Sequence, residues 1–119
     1  MGTTQATALI DSGSTTTFIS PKIASKAGLH MANYAPIPVR VANGSILNTG
    51  TVCSQVPYSI HNVSFISDFR LLDLKGFDII FGCDWIYQHS PITIDLKTRA
   101  FTIHHNGMQS ITFPDITFP

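Results

Sequence analysis

The sequence predicts a mostly β domain, a barrel or sandwich of short strands with one or two short helices. Three observations predict it. Short runs rich in Val, Ile, Thr and Phe recur along the 119 residues, each stopped by Gly, Pro, Asn or Asp. Two Asn-Gly pairs, Asn43-Gly44 and Asn106-Gly107, offer the positive φ that tight hairpins need. All seven acids are Asp and none is Glu, and Asp favours turns, loops and caps over helix interiors.

Taken in order, residues 6–10 read as a short strand ending at Asp11, and residues 15–20 as a second one. The period then changes. Ser20-Pro21 is a cap followed by proline at the first helical position, Ile23, Ala24 and Ala27 form an apolar stripe, and Gly28 stands where a left-handed terminus belongs. This spacing predicts a helix over 21–27. Pro36 and Pro38 lead into a strand at 39–41, and Asn43-Gly44 turns it back through Leu47, with Gly50 a candidate bulge. Residues 51–60 and 63–74 alternate apolar and polar positions about a turn at His61-Asn62. Ile79-Ile80-Phe81 is a buried strand stopped by Gly82, and Asp84 can cap a second helix over 85–89. Strands at 92–96, 100–103 and 110–113 follow, and residues 114–119, with two prolines, read as an extended tail.

Composition bounds the rest. The length fits one domain, 1–119, and 44% hydrophobic against 12% charged residues excludes a disordered chain. Seven Lys plus Arg balance seven Asp, which leaves no electrostatic footprint for nucleic acid or an acidic membrane. No apolar run reaches the length of a membrane span, and no signal core opens the chain. Two cysteines, Cys53 and Cys83, are too few for a stapled secreted domain, so two reduced, packed thiols in a cytoplasmic setting are expected. No Cys/His cluster has zinc-site spacing and no serine stands in a Gly-x-Ser-x-Gly setting, so neither cofactor nor serine triad is expected.

The chemistry concentrates at Ala8-Leu9-Ile10-Asp11-Ser12-Gly13-Ser14. A carboxylate at the end of an apolar strand is costly to bury without donors or a second titrating group. Glycine two residues on permits a tight turn and a close backbone approach. Alone the tripeptide is weak, since chance yields it in roughly one chain of this length in twenty. Two further segments give it context: the Val41-Ala-Asn-Gly hairpin and Phe77-Asp-Ile-Ile-Phe-Gly-Cys-Asp-Trp-Ile86.

Together these segments resemble the retropepsin-like aspartic proteases, and most closely the protease domain of Ty3/gypsy-type long-terminal-repeat retrotransposon polyproteins. Pro91-Ile-Thr-Ile-Asp and Phe101-Thr-Ile also look like that group, so the resemblance covers residues 6–105. It implies a closed or partly open acid-protease β-barrel with a flap hairpin, and an obligate homodimer that processes a polyprotein, inside virus-like particles among other cytoplasmic places. It also implies that the strand preceding Ala8 in that family is largely absent here.

Roles follow by resemblance. Asp11 would be the catalytic carboxylate, one per subunit. Ser12 would hydrogen-bond across the dimer axis, and Gly13 would let substrate approach. Ser14, Thr15 and Thr16 would line the first subsites, and Ile80 would form a subsite wall with Gly82 packed against the loop. Ala42, Asn43, Gly44 and Ser45 would be the flap. The need for two chains is chemical: one carboxylate activates water while a second, protonated, serves the carbonyl oxygen, and two acids so close share a proton. A single Asp-Ser-Gly supplies half of that. Asp78 and Asp84 read as structural, and His104 and His105 as strand histidines on opposite faces. The competing class of function is a retropepsin-fold module that has lost catalysis and serves binding or assembly.

Overall fold

The computed structural model describes residues 4–40, 44–74, 76–98, 100–105 and 109–113. The chain divides into two compact units, Met1–Asp84 and Trp85–Pro119. The first holds strands β1 (Ala8–Ile10), β2 (Phe18–Ile19), β3 (Ala32–Arg40), β4 (Ile46–Ile60), β5 (Val63–Leu71) and β6 (Ile79–Phe81) in one sheet, ordered β1-β6-β2-β5-β4-β3. Helix α1 (Pro21–Lys26) follows β2, and α2 (Cys83–Gln88) leads from the first unit into the second. The second unit carries β7 (Thr93–Asp95), β8 (Ala100–His105) and β9 (Gln109–Phe113), antiparallel in that order. The fold is mostly β with two short helices, the class that the sequence predicts.

Local chemistry accounts for the well-anticipated elements. Ser20 Oγ accepts the Ile23 N–H at 3.3 Å and Pro21 opens α1. Its far end is a Schellman closure: Leu29 N donates to Ala24 O, Gly28 N donates to Ser25 O, and Gly28 sits at φ 68. His61 and Asn62, at φ 47 and 67, turn β4 into β5 as a tight hairpin.

Several boundaries differ for physical reasons. The strand expected over 15–20 shrinks to Phe18–Ile19, because Thr15 bonds Arg40 and Thr17 bonds Asp84 instead of a ladder. The strand at 39–41 extends back to Ala32 through Pro36 and Pro38, which is possible because β3 is the sheet edge. The irregularity expected at Gly50 lies opposite it, between Asn33 and Ile37. Any Cβ on Gly50 would stand 2.6 Å from the Tyr34 carbonyl oxygen, so the bulging strand presses on glycine there. Helix α2 begins at Cys83, two residues early, and Asp84 is not its cap. The turn at Asn106-Gly107 and the tail 114–119 lie outside the described residues.

The sheet has two unlike faces. On one, Ile79, Phe81, Ile19, Phe69 and Cys53 are buried, and Tyr58 gathers Phe65, Phe69 and Phe81 at ring separations of 5.4, 5.5 and 5.8 Å. The Tyr58 hydroxyl meets Ser67 Oγ at 2.7 Å, so its polar tip is satisfied. Burial pushes the Cys53 thiol up from its ordinary range. Cys83, expected to be packed, is exposed, and both thiols are free. The opposite face carries Leu9, Ile80, Arg70 and Val52, all half-buried, around a fully buried Phe18.

In the second unit, Trp85 and His89 are buried with rings 4.3 Å apart. His89 Nδ1 lies 3.1 Å from the His104 carbonyl, and His104 Nδ1 lies 3.1 Å from the Pro91 carbonyl. These histidines serve backbone carbonyls. Among the described residues no cluster of three His, Cys or Asp side chains is placed to hold a metal.

Candidate active site

β1 delivers Asp11 to its loop. The ladder with β6 runs Ala8–Ile79, Leu9–Ile80 and Ile10–Phe81, and the Asp11 N–H extends it by donating to Phe81 O at 2.9 Å. The carboxylate then meets donors from its own turn. Gly13 N donates to Oδ1 at 2.8 Å, and Ser14 Oγ donates to Oδ2 at 3.4 Å. Ser14 N closes the turn on the Asp11 carbonyl at 3.2 Å. Two donors offset part of the desolvation that a half-buried carboxylate incurs. Asp11 is thus held by neighbours while Ser12 and Gly13 stand exposed and Ser14 is fully buried.

The segment after the loop is fastened from three directions. Thr15 N donates to Arg40 O at 3.1 Å and Arg40 N donates to Thr15 Oγ1 at 3.2 Å, tying the loop to the end of β3. Thr17 Oγ1 donates to Asp84 Oδ1 at 2.6 Å and accepts the Gly82 N–H at 3.1 Å, while Thr17 N donates to Asp84 Oδ2 at 3.3 Å. From Cys83, the backbone N–H donates to Ser14 O at 2.8 Å and the thiol to Ser12 O at 3.1 Å. Gly82 packs so closely that a Cβ there would stand 2.2 Å from Thr16 O and 2.8 Å from Ser14 O. Only glycine fits.

Ile80 occupies the middle of β6, half-buried, between Leu9 and Phe18. The β3–β4 hairpin closes with Arg40 opposite Ile46. Ala42 and Asn43 fall outside the described residues, Gly44 sits at φ 85 with open space around it, and Ser45 is exposed. Ile46 and Leu47 at the hairpin base are also exposed. A surface cleft of about 610 Å³ lies elsewhere, lined by Ser20, Lys22, Asp73 and Phe77 among others, and shares no residue with the Asp11 loop. The site is an open, half-buried sheet face that ends in an acid loop.

The family model for retroviral aspartyl proteases matches residues 1–109. The chain belongs to that family. Its fold is the retropepsin-like one, and its chemistry is that of an aspartic protease. No curated protein matches it.

Sequence reasoning anticipated the packing of Gly82 against the acid loop, but missed what else fastens that loop. Asp84 had every mark of a local helix cap, yet its carboxylate reaches Thr17, 67 positions away in the chain. Arg40 and Cys83 lend backbone groups and a thiol, which no side-chain pattern announces. The aspartic protease's loop is therefore held mainly from β6 and the start of α2.

Proposed function

We propose that this aspartic protease is an endopeptidase of the retrotransposon polyprotein type, cytoplasmic, and active as a homodimer in which each subunit contributes Asp11. One carboxylate takes a proton from water as its oxygen attacks the peptide carbonyl. The other, protonated, gives its hydrogen to the carbonyl oxygen. Collapse of the tetrahedral species breaks the C–N bond, and the leaving amine takes up a proton. Ser12 bonds across the two-fold axis, Gly13 admits the substrate backbone, and Ser14, Thr15, Thr16 and Ile80 border the subsites. Residues 42–45 close as a flap and exclude water. The substrate is an extended peptide held by main-chain bonds.

The observation that carries this reading is Asp11, half-buried, gripped by Gly13 and Ser14, beside the exposed Ser12 and Gly13. The test is cleavage of a polyprotein-derived peptide by wild type and by Asp11→Asn. The variant is expected to lose about 10²–10⁴-fold in kcat/KM, the span of general acid–base catalysis. Wild type is expected to show a bell-shaped pH profile, acidic to near neutral, and inhibition by pepstatin-like transition-state mimics. Full cleavage by Asp11→Asn overturns the proposal.

A further inference from the structure

Arg70 lies on the face of the sheet that carries the acid loop. Cross-strand partners share a face, and the registers pair Leu9 with Ile80, Ile80 with Phe18, Phe18 with Arg70, and Arg70 with Val52. Asp11, two residues beyond Leu9, continues that face. Arg70 stands three strands from β1 in the order β1-β6-β2-β5. At about 4.8 Å per strand this is ~14 Å of backbone, part of which the long arginine side chain spans.

Its guanidinium is unfinished. Nη1 of Arg70 is buried without a hydrogen-bond partner, and no other buried side-chain nitrogen or oxygen among the described residues shares that condition. A guanidinium cannot shed its charge, so an uncompensated one is costly to bury. The acids of the first unit that bond elsewhere do not relieve it. Asp68, two residues away on the same face, accepts the Gln55 N–H at 2.8 Å. Asp78 accepts from Thr7, Asp84 from Thr17, and Asp11 from its own loop. Ile80 and Phe18, between the acid loop and Arg70, are apolar, so the path from the loop to Arg70 crosses no other charge. Arg40, set on the same face by its pairing with Ile46, stands exposed at the far edge strand, across β4 from Arg70.

We infer that Arg70 is a specificity residue whose guanidinium takes a carboxylate side chain of the peptide substrate, two to four residues from the bond lying over Asp11. That count is ~14 Å, less the arginine's reach, divided by about 3.3 Å per extended residue. The inference rests on the peptidase reading and adds the class of substrate: peptides with Glu or Asp near the cut. A carboxylate meets the planar fork with paired, charge-assisted bonds, which an isosteric amide cannot match. A site whose polar group stays unpaired rejects the analogue strongly.

The test uses the full chain and ten-residue peptide pools, randomised except for one position fixed in turn as Glu, Gln, Lys or Leu. For wild type, one fixed position is expected to favour Glu over Gln by about ten-fold or more in kcat/KM. Arg70→Gln should bring that ratio to about one, Arg70→Lys should keep part of it, and Arg70→Glu should turn the preference towards Lys. Lys26→Gln, on the exposed end of α1, should leave the ratio as in wild type. Thermal unfolding adds a readout of a merely structural role: Arg70→Leu should not lower Tm, since it removes a guanidinium whose Nη1 is buried without a partner. A fall of several degrees would mark Arg70 as structural and overturn the inference. Absence of any acid preference in wild type, or its persistence in Arg70→Gln, overturns the inference. If no pool is cleaved, the peptidase reading fails. The inference is then decided by fluorescence anisotropy of labelled Glu and Gln pools on Asp11→Asn. Tighter Glu binding that disappears on adding Arg70→Gln sustains it, and equal binding overturns it.

Discussion

Thr17 does three things at once: its hydroxyl donates to Asp84 and accepts from Gly82, and its N–H donates to the same carboxylate. It is nearly fully buried, so water is a poor substitute for any of these partners. Thr17→Val keeps the shape and removes the hydroxyl, leaving the Gly82 N–H unsatisfied and Asp84 short of a donor. We expect a loss of about 1–3 kcal/mol, the usual cost of orphaning a buried polar group, measured by urea unfolding. Thr17→Ser should recover most of it. A variant as stable as wild type would show that the triad is incidental. Residue-scale roles such as this were the least legible in the sequence. Asp11 and Gly13 announce themselves because their partners lie within three positions. Thr17 sits in a run of threonines, and its role depends on a contact that only the folded sheet creates. Arg70 was hidden for a related reason. A lone arginine within the alternating run 63–74 carries no signal of its own until strand pairing sets it beside Phe18.

Among elements, β6 organises the site. It pairs parallel with β1 and antiparallel with β2, so it holds the strand before the acid loop and the strand after it. Gly82 ends it against that loop. In Gly82→Ala the new methyl group meets the Thr16 and Ser14 backbones, which are not flexible side-chain ends. We expect about 3 kcal/mol of destabilisation, the upper part of the overpacking range, together with loss of peptidase activity. Denaturant unfolding and peptide cleavage check both, and an active, fully stable alanine variant would contradict the packing. Elements were legible where punctuation was local. Ser20-Pro21 and Gly28 mark α1, and His61-Asn62 marks the β4–β5 turn. They were illegible where neighbours override local preference. Pro36 and Pro38 argue against a strand, yet β3 runs through both because an edge strand need not donate on its open side. Asp84 points to a helix start two residues too late, because its carboxylate is engaged by Thr17 instead of capping.

For the whole molecule, a single Asp-Ser-Gly per chain makes the proposed enzyme a sum of two halves. Specific activity should then rise with protein concentration until dimerisation saturates. At constant total protein, replacing half of the wild type by Asp11→Asn should leave wild-type homodimers as about a quarter of all dimers, so activity should fall well below half. Activity tracking the wild-type fraction linearly would mean that one chain suffices. One further consequence comes from the strand order. β1 is three residues long and, among the described residues, lies at one margin of its sheet, paired with β6 alone, whereas β4 and β5 share a long ladder. The acid is thus mounted on a short strand at the sheet margin, the kind of segment that opens locally before a long central ladder does. In amide hydrogen exchange the Leu9 and Ile10 protons should exchange well before those of Phe65 and Phe69, and a bound peptide mimic should slow them most. Catalytic competence would then be lost by fraying at one margin long before the fold itself melts.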